Sequence, residues 1–412
     1  MTDTSGVLSS SLDRPRARAL YASPIEVDGQ RFVLLRDPLG VLPEGFAISA
    51  ALYGVLACCD GTETLEGIQA GLVSMLGTFV SQSEVEAAVA ELRRHGLIEG
   101  AEVAALVEDR LRAYRSAPRP ASHAGAVYPT DRAELAKYLD AMLDRDLRDL
   151  APEVSLRCLI APHIDLERGA DAYGDAYALA RRDLDADTFI VLGVCHAPSQ
   201  HPYVLTAQPF DTPLGEAEVD RDVLDRLAAA LGTDGFADEL LHAQEHSIEF
   251  QVVFIKHLFP QARVVPILCS QMDDHEWEGP PQARDLAAEI HAVLDDPSRN
   301  AVVVAGVDLS HVGPEFGHDG PAGDAEKAWA GDVDRAVLRS ALAGNARGVL
   351  EASAKRNAAG EDANVCGRSA LHLAALAVAP CMGTVLRLGQ APTPDGASVV
   401  GFAAAAIWER QD

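Results

Sequence analysis

Four short runs, VSLRCLIAPH, TFIVLGVCH, ARVVPILCS and NAVVVAGVDLSH, are almost unbroken in Val, Ile, Leu and Ala. An antiparallel strand with one wet face would alternate apolar and polar residues. Near-continuous apolar runs instead suit parallel strands covered on both faces. Between the runs lie stretches with helical spacing: ADAYGDAYALARR, DRDVLDRLAAALG, EHSIEFQVVFIKHLF and PPQARDLAAEIHAVLDD. In EHSIEFQVVFIKHLF, the residues Ile248, Val252, Ile255 and Phe259 form an apolar stripe, and Glu245 and Glu249 stand one turn apart on another face. Strand–helix alternation predicts an α/β fold, a mostly parallel sheet with helices on both faces, over residues 122–412.

The region before this sheet is organised differently. Residues 1–20 are rich in Ser, Arg and Pro and are expected to be flexible. Over residues 21–105, RFVLLRD reads as a strand and ISAALYGVLACCDG as a helix closed near Gly61. TLEGIQAGLVSML is a second helix with a Thr cap. SQSEVEAAVAELRRHG is a third, with a Ser cap, a capping-box-like Glu and a stop at Gly96. LIEG then suits a short returning strand, and the whole predicts a small winged-helix-like domain. Residues 106–121 read as a linker, because Pro118 and Pro120 discourage helix.

Three of the apolar runs end alike, on His163, on His196, and on Asp308 with His311. In open α/β sheets ligands bind beyond the carboxyl ends of the strands. One histidine there is ordinarily a hydrogen-bonded structural residue, but three in matching positions favour a site. Cys366, just before Gly367 and a helix start, is either an inert buried thiol or a thiolate favoured by the helix N-terminus. His246 sits beside Glu245 and Glu249, and the absence of HExxH excludes a zincin helix. Neither GxGxxG after the first strand, nor GxxxxGK[ST], nor GxSxG is present, so nucleotide-binding loops and a hydrolase elbow have no support.

A formal charge of −28 argues against nucleic acid and against anionic membrane surfaces. The seven cysteines are irregularly spaced without a CxxC, which fits a reducing compartment and gives no structural zinc site. No signal peptide is legible at the start, and no apolar run reaches the roughly 20 residues of a membrane span. The expectation is a cytoplasmic protein.

From Ser122 to Glu409 the chain resembles the Memo family, also called AmmeMemoRadiSam system protein B. The blocks HAGAVYP, APH, GVCH, EHSIEFQ, VDLSHVG, CGR and VGFAAAA occur in the family's order. The resemblance implies a fold similar to class III extradiol dioxygenases and a mononuclear metal, iron first, with copper or zinc as alternatives. It implies His163, His196 and Cys366 as metal ligands, and Asp308, His311, His246 and Glu249 as pocket residues with catalytic roles. It also implies partners of radical-SAM and AMMECR type alongside a small-molecule or peptide substrate. Ile164, Asp165 and Leu166 depart from the family's usual Ala-Gly-Tyr after the first histidine. Val194 and Cys195 stand where Gly-Pro is common, and Ala197 where a second histidine often follows. These changes touch the pocket walls and leave the ligands. Residues 21–105 resemble PqqD-like peptide-recognition modules more loosely, through apolar spacing around a central DG.

Two imidazoles and a thiolate leave open positions on iron(II), so a metal-dependent oxidoreductase of extradiol type is the first expectation. His311 would serve off the metal as acid/base. A metal- or protein-binding module without turnover and a zinc-dependent hydrolase are the rival readings, and fold likeness alone does not choose among them.

Overall fold

The computed structural model describes residues 14–146, 155–271 and 279–410. The chain divides into two compact units, Met1–Ser116 and Ala117–Asp412.

In the first unit, β1 (Tyr21–Val27), β2 (Gln30–Arg36) and β3 (Ala47–Ser49) form an antiparallel sheet in that order. Four helices follow: α1 (Ala50–Ala57), α2 (Leu65–Leu76), α3 (Gln82–Arg94) and α4 (Ala101–Tyr114). The caps are those expected from the sequence. Thr64 accepts from Gly67 N, and Ser81 and Glu84 close a reciprocal capping box. Leu35, Ile68, Val85, Val89 and Leu92 share one apolar core.

Three expectations change here. LIEG forms no strand. Ile98 makes a single bridge to Ala17, and Gly100 then starts α4. Of the terminus read as flexible, residues 1–13 lie outside the described residues, but Arg18 is buried, pairing with Asp37 at 2.8 Å and donating to Gly96 O. The segment read as a linker from 106 is helix as far as Tyr114, because Val103 and Tyr114 are buried on one side of it. β1 escaped notice because nearly all of it is exposed, leaving no alternation to read.

In the second unit, α5 (Arg132–Met142) precedes β4 (Leu156–Ala161), α6 (Ala170–Asp183), β5 (Thr188–Cys195), β6 (Tyr203–Leu205) and α7 (Arg221–Leu231). Then come α8 (His246–Leu258), β7 (Arg263–Ser270), α9 (Gln282–Leu294), β8 (Ala301–Gly306) and β9 (Asp308–Val312). The chain finishes with α10 (Asp324–Leu342), α11 (Ala346–Ser353), α12 (Arg368–Val378), β10 (Cys381–Pro392) and β11 (Val399–Glu409). The sheet runs β10-β11-β4-β8-β5-β7-β6, with β9 also pairing β11. Its centre, β4-β8-β5-β7, is parallel and buried on both faces, as the apolar runs require. β11 joins it antiparallel, as does β6. Among the described residues no helix is long and apolar enough to cross a membrane.

One expected strand is two. NAVVVAGVDLSH breaks after Gly306, and β9 leaves the parallel ladder to pair antiparallel with β11, Val400 opposite His311. The break follows from packing. A Cβ on Gly306 would lie 2.6 Å from Ser247 O, and one on Gly193 2.5 Å from Ile248 Cγ1, so the start of α8 lies flat on two glycines at the strand ends. The helix it begins is buried on all sides from Ser247 to Ile255 rather than along one stripe.

Candidate metal centre

The EHSIEFQ block builds the site because each of its polar residues has a task. Glu245 caps α8, accepting from Ser247 N at 3.0 Å. Its two oxygens also lie 3.1 Å from His196 Nδ1, and one accepts from His196 N at 3.1 Å. Ser247 Oγ accepts from Val194 N and donates to Val194 O, both at 3.0 Å, tying the helix start to the end of β5. Gln251 Nε2 donates to Pro162 O at 2.8 Å, fixing the backbone just before His163.

Glu249 is not on a solvated face. It is 1% exposed and paired with the fully buried Arg119, while Tyr128 OH, His123 N and His123 Nδ1 donate to it. Burial works against its charge, but the His123 hydrogen bond and the Arg119 guanidinium outweigh it, holding the carboxyl at about 2. A carboxylate so committed orients its neighbours and is not poised to take a proton. Arg119 also donates to His242 O and Glu245 O, each at 2.8 Å, and stands over the Phe210 ring. The segment read as a linker therefore ends inside the second unit, with Arg119 as the cation beneath the site.

One ring nitrogen from each of His163, His196 and His246 lies within 4.8 Å of the others. Their rings pack with centroids 4.8–5.2 Å apart. His163 Nδ1 donates to Gly306 O at 3.0 Å, His196 Nδ1 to Glu245, and His246 Nδ1 stands 3.2 Å from the same carboxylate. With the Nδ1 edge engaged in each ring, the Nε2 lone pair is the one offered, which is how metal-binding imidazoles are held. Burial drives His163 down to about 3, and likewise His246 against the pull of Glu245. Burial also opposes charge on His196, but the Glu245 carboxylate overrides it and raises this histidine. His163 is buried and His246 half-buried, while His196 is open to solvent, so the cluster can be reached from one side.

The residues fit a metal ion, though the trio is not the one expected. His246, expected beside the centre, stands within it. Cys366 lies alongside, its Sγ 3.5 Å from His163 Nε2. Burial first, then the Asp308 carboxylate, push the Cys366 thiol well up, against the effect expected of the helix start at Arg368. Asp308 accepts from His163 N at 3.0 Å, and burial raises its carboxyl to about 6. His311 donates from Nδ1 to Leu309 O at 3.0 Å, and burial lowers it. Sequence reading passed over Arg119, His123 and Tyr128 as functional residues. The only signal was HAGAVYP itself, in which His123 and Tyr128 both reach Glu249.

A mostly parallel α/β sheet with three imidazoles gathered at the carboxyl ends of β4 and β5 and the start of α8 defines an α/β protein with a candidate mononuclear metal centre. The chain belongs to the Memo family, whose profile, described as Memo-like protein, matches residues 119–406. A MEMO1 family protein of Aquifex aeolicus is 30% identical over 305 residues, 74% of this chain and 77% of that one. A MEMO1 family protein of Thermus thermophilus is 32% identical over 257 residues, 62% of this chain and 73% of its own. A solved structure of an uncharacterized protein from Escherichia coli K12 aligns at 14% identity with a TM-score of 0.38, covering 61% of this chain and 99% of that one.

Proposed function

We propose that this chain is a metal-dependent oxidoreductase of extradiol type, acting on a small phenolic or peptide-derived substrate. The observation that carries the reading is the gathering of His163, His196 and His246, one ring nitrogen from each lying within 4.8 Å of the others. These three would hold the metal, and Cys366, 3.5 Å from His163 Nε2, would be the fourth donor. Iron is the metal we propose first, with copper the alternative. Such an ion supplies a site where dioxygen and a chelating substrate meet.

The chain's own residues supply the rest. His196 marks the open side through which substrate enters. Asp308, a buried carboxyl raised to about 6, and His311, whose Nδ1 bonds to Leu309 O, would serve as acid and base beside the centre. Glu245 and Glu249 hold imidazoles in place.

A zinc-dependent hydrolase is the second reading, favoured by the three-imidazole donor set, which is also that of a catalytic zinc site. The test is metal analysis of protein purified without oxygen, followed by oxygen consumption with a panel of catechols. Iron or copper with uptake supports the first reading. Zinc without uptake supports the second. Absence of any stoichiometric metal would refute both and favour a binding module.

A further inference from the structure

A cavity of about 370 Å³ lies at the end of the sheet away from the metal centre. Asp187 and Thr188 at the start of β5, Arg263 at the start of β7, Asp220 before α7 and Arg299 before β8 line it. β5 runs eight residues from Thr188 to Cys195, beside His196, so at about 3.3 Å per residue the cavity is about 25 Å from the imidazoles. One part of the wall is electrically complete. Asp220 is 2% exposed and accepts from Thr188 Oγ1 at 3.2 Å, from Val223 N at 3.2 Å and from Arg299 Nη1 at 2.8 Å. Arg299 reaches Asp222 as well, so both its charge and that of Asp220 are answered inside the wall.

The other two charges of the lining are not. Arg263 N donates to Asp187 O at 2.9 Å, which makes the two residues backbone neighbours on one wall. Their side chains nevertheless form no ion pair with each other, and the Arg263 guanidinium meets no carboxylate among the described residues. The chain has 62 acidic residues against 34 basic ones, so a guanidinium without a carboxylate does not lack for candidates. Asp187 Oδ2 accepts from Asn300 N at 3.3 Å, and its other oxygen has no donor among the described residues. A cation and an anion that share a wall without touching leave a gap, and a ligand carrying both opposite charges would span it.

We propose that this cavity is a binding site for a free α-amino acid, its carboxylate on Arg263 and its ammonium group on Asp187. An α-amino acid carries its two charges on one carbon, as two neighbouring wall residues require. The volume stands near the small end of the roughly 300–1,000 Å³ found for ligand pockets, which suits a molecule of that size. The site is separate from the imidazoles and does not depend on what metal they hold.

The test is calorimetric titration of the full chain with each of the common L-amino acids at millimolar concentration. At least one should bind. Arg263→Met and Asp187→Asn should each weaken that amino acid by about 10–100-fold, the loss of one charge-assisted contact. Both side chains are exposed, so both variants should melt like the wild type. The N-acetyl derivative, which has no ammonium group, should bind weakly to the wild type and no more weakly to Asp187→Asn. The carboxamide derivative should behave in the same way towards Arg263→Met. Binding of no amino acid would overturn the proposal. So would variants with wild-type affinity, which would put the ligand elsewhere. Acetate binding as tightly as the amino acid would also overturn it, reducing the site to an anion contact at Arg263.

Discussion

Replacing Glu245 by glutamine should weaken metal binding by about 10–100-fold while leaving the metal-free fold nearly as stable as before. The carboxylate holds two of the three imidazoles, lying 3.1 Å from His196 Nδ1 and 3.2 Å from His246 Nδ1. It also receives the backbone N–H groups of His196 and Ser247. Glutamine keeps one oxygen, enough to accept from Ser247 N and preserve the helix cap. It loses the charge that makes both imidazoles better donors, and its amide N–H groups face the His196 N–H that the second oxygen accepted. At about 1.4 kcal/mol per tenfold, the expected loss is about 1.4–2.8 kcal/mol of binding free energy. Glu245→Ala should add a loss of fold stability of about 0.5–2 kcal/mol, because the cap goes too.

The same carboxylate that strengthens His196 as a ligand also raises its affinity for protons, burial notwithstanding. In the wild type, protons therefore compete with the metal at a higher pH than in the variant. The difference between the two proteins should be largest above the wild-type His196 transition and shrink as pH falls through it. Competition titrations against a chelator at several pH values, with urea melts of the metal-free proteins, measure both quantities. A Glu245→Gln protein with wild-type affinity across that range would show that Glu245 is a helix cap and nothing more.

Arg119→Met should destabilise the second unit by about 3–5 kcal/mol in urea melts, because Glu249 is left buried without its cation. Arg119→Met with Glu249→Leu should recover part of that loss, and failure to do so would mean the two do not act as a pair. Gly306→Ala should lower stability by about 1–3 kcal/mol, since its Cβ would stand 2.6 Å from Ser247 O, and an unchanged melting curve would refute the close-packing account of the strand break. Cys366→Ser should weaken metal binding and His246→Ala should weaken it more; the opposite order in chelator competition would exchange their places in the ligand set. His311→Ala should retain its metal and lose most turnover in paired metal and rate assays, whereas loss of metal would make it a ligand.

What the sequence made legible divides along a physical line. Periodicity reports burial on one element at a time, so the parallel strands, the capped helices and the histidines at strand ends could be read directly. Nothing in periodicity reports which distant groups an element meets. Glu249 is a pocket residue by resemblance, and the sequence around it does not name its partner: Arg119 lies 130 residues earlier in sequence and reaches it through a segment that reads as linker. The charge of that pair is invisible until both ends are placed. The resemblance implies His246 as a pocket residue and not a ligand; it sits on a helix start, and the close approach of α8 to Gly193 and Gly306 brings it beside His163 and His196. The glycines are thus as much a part of the centre as the imidazoles. A Cβ at Gly306 would meet the backbone oxygen of Ser247 and displace the helix start, and with it Glu245, His246 and the hold on His196, whereas one at Gly193 would first press on the Ile248 and Ser247 side chains.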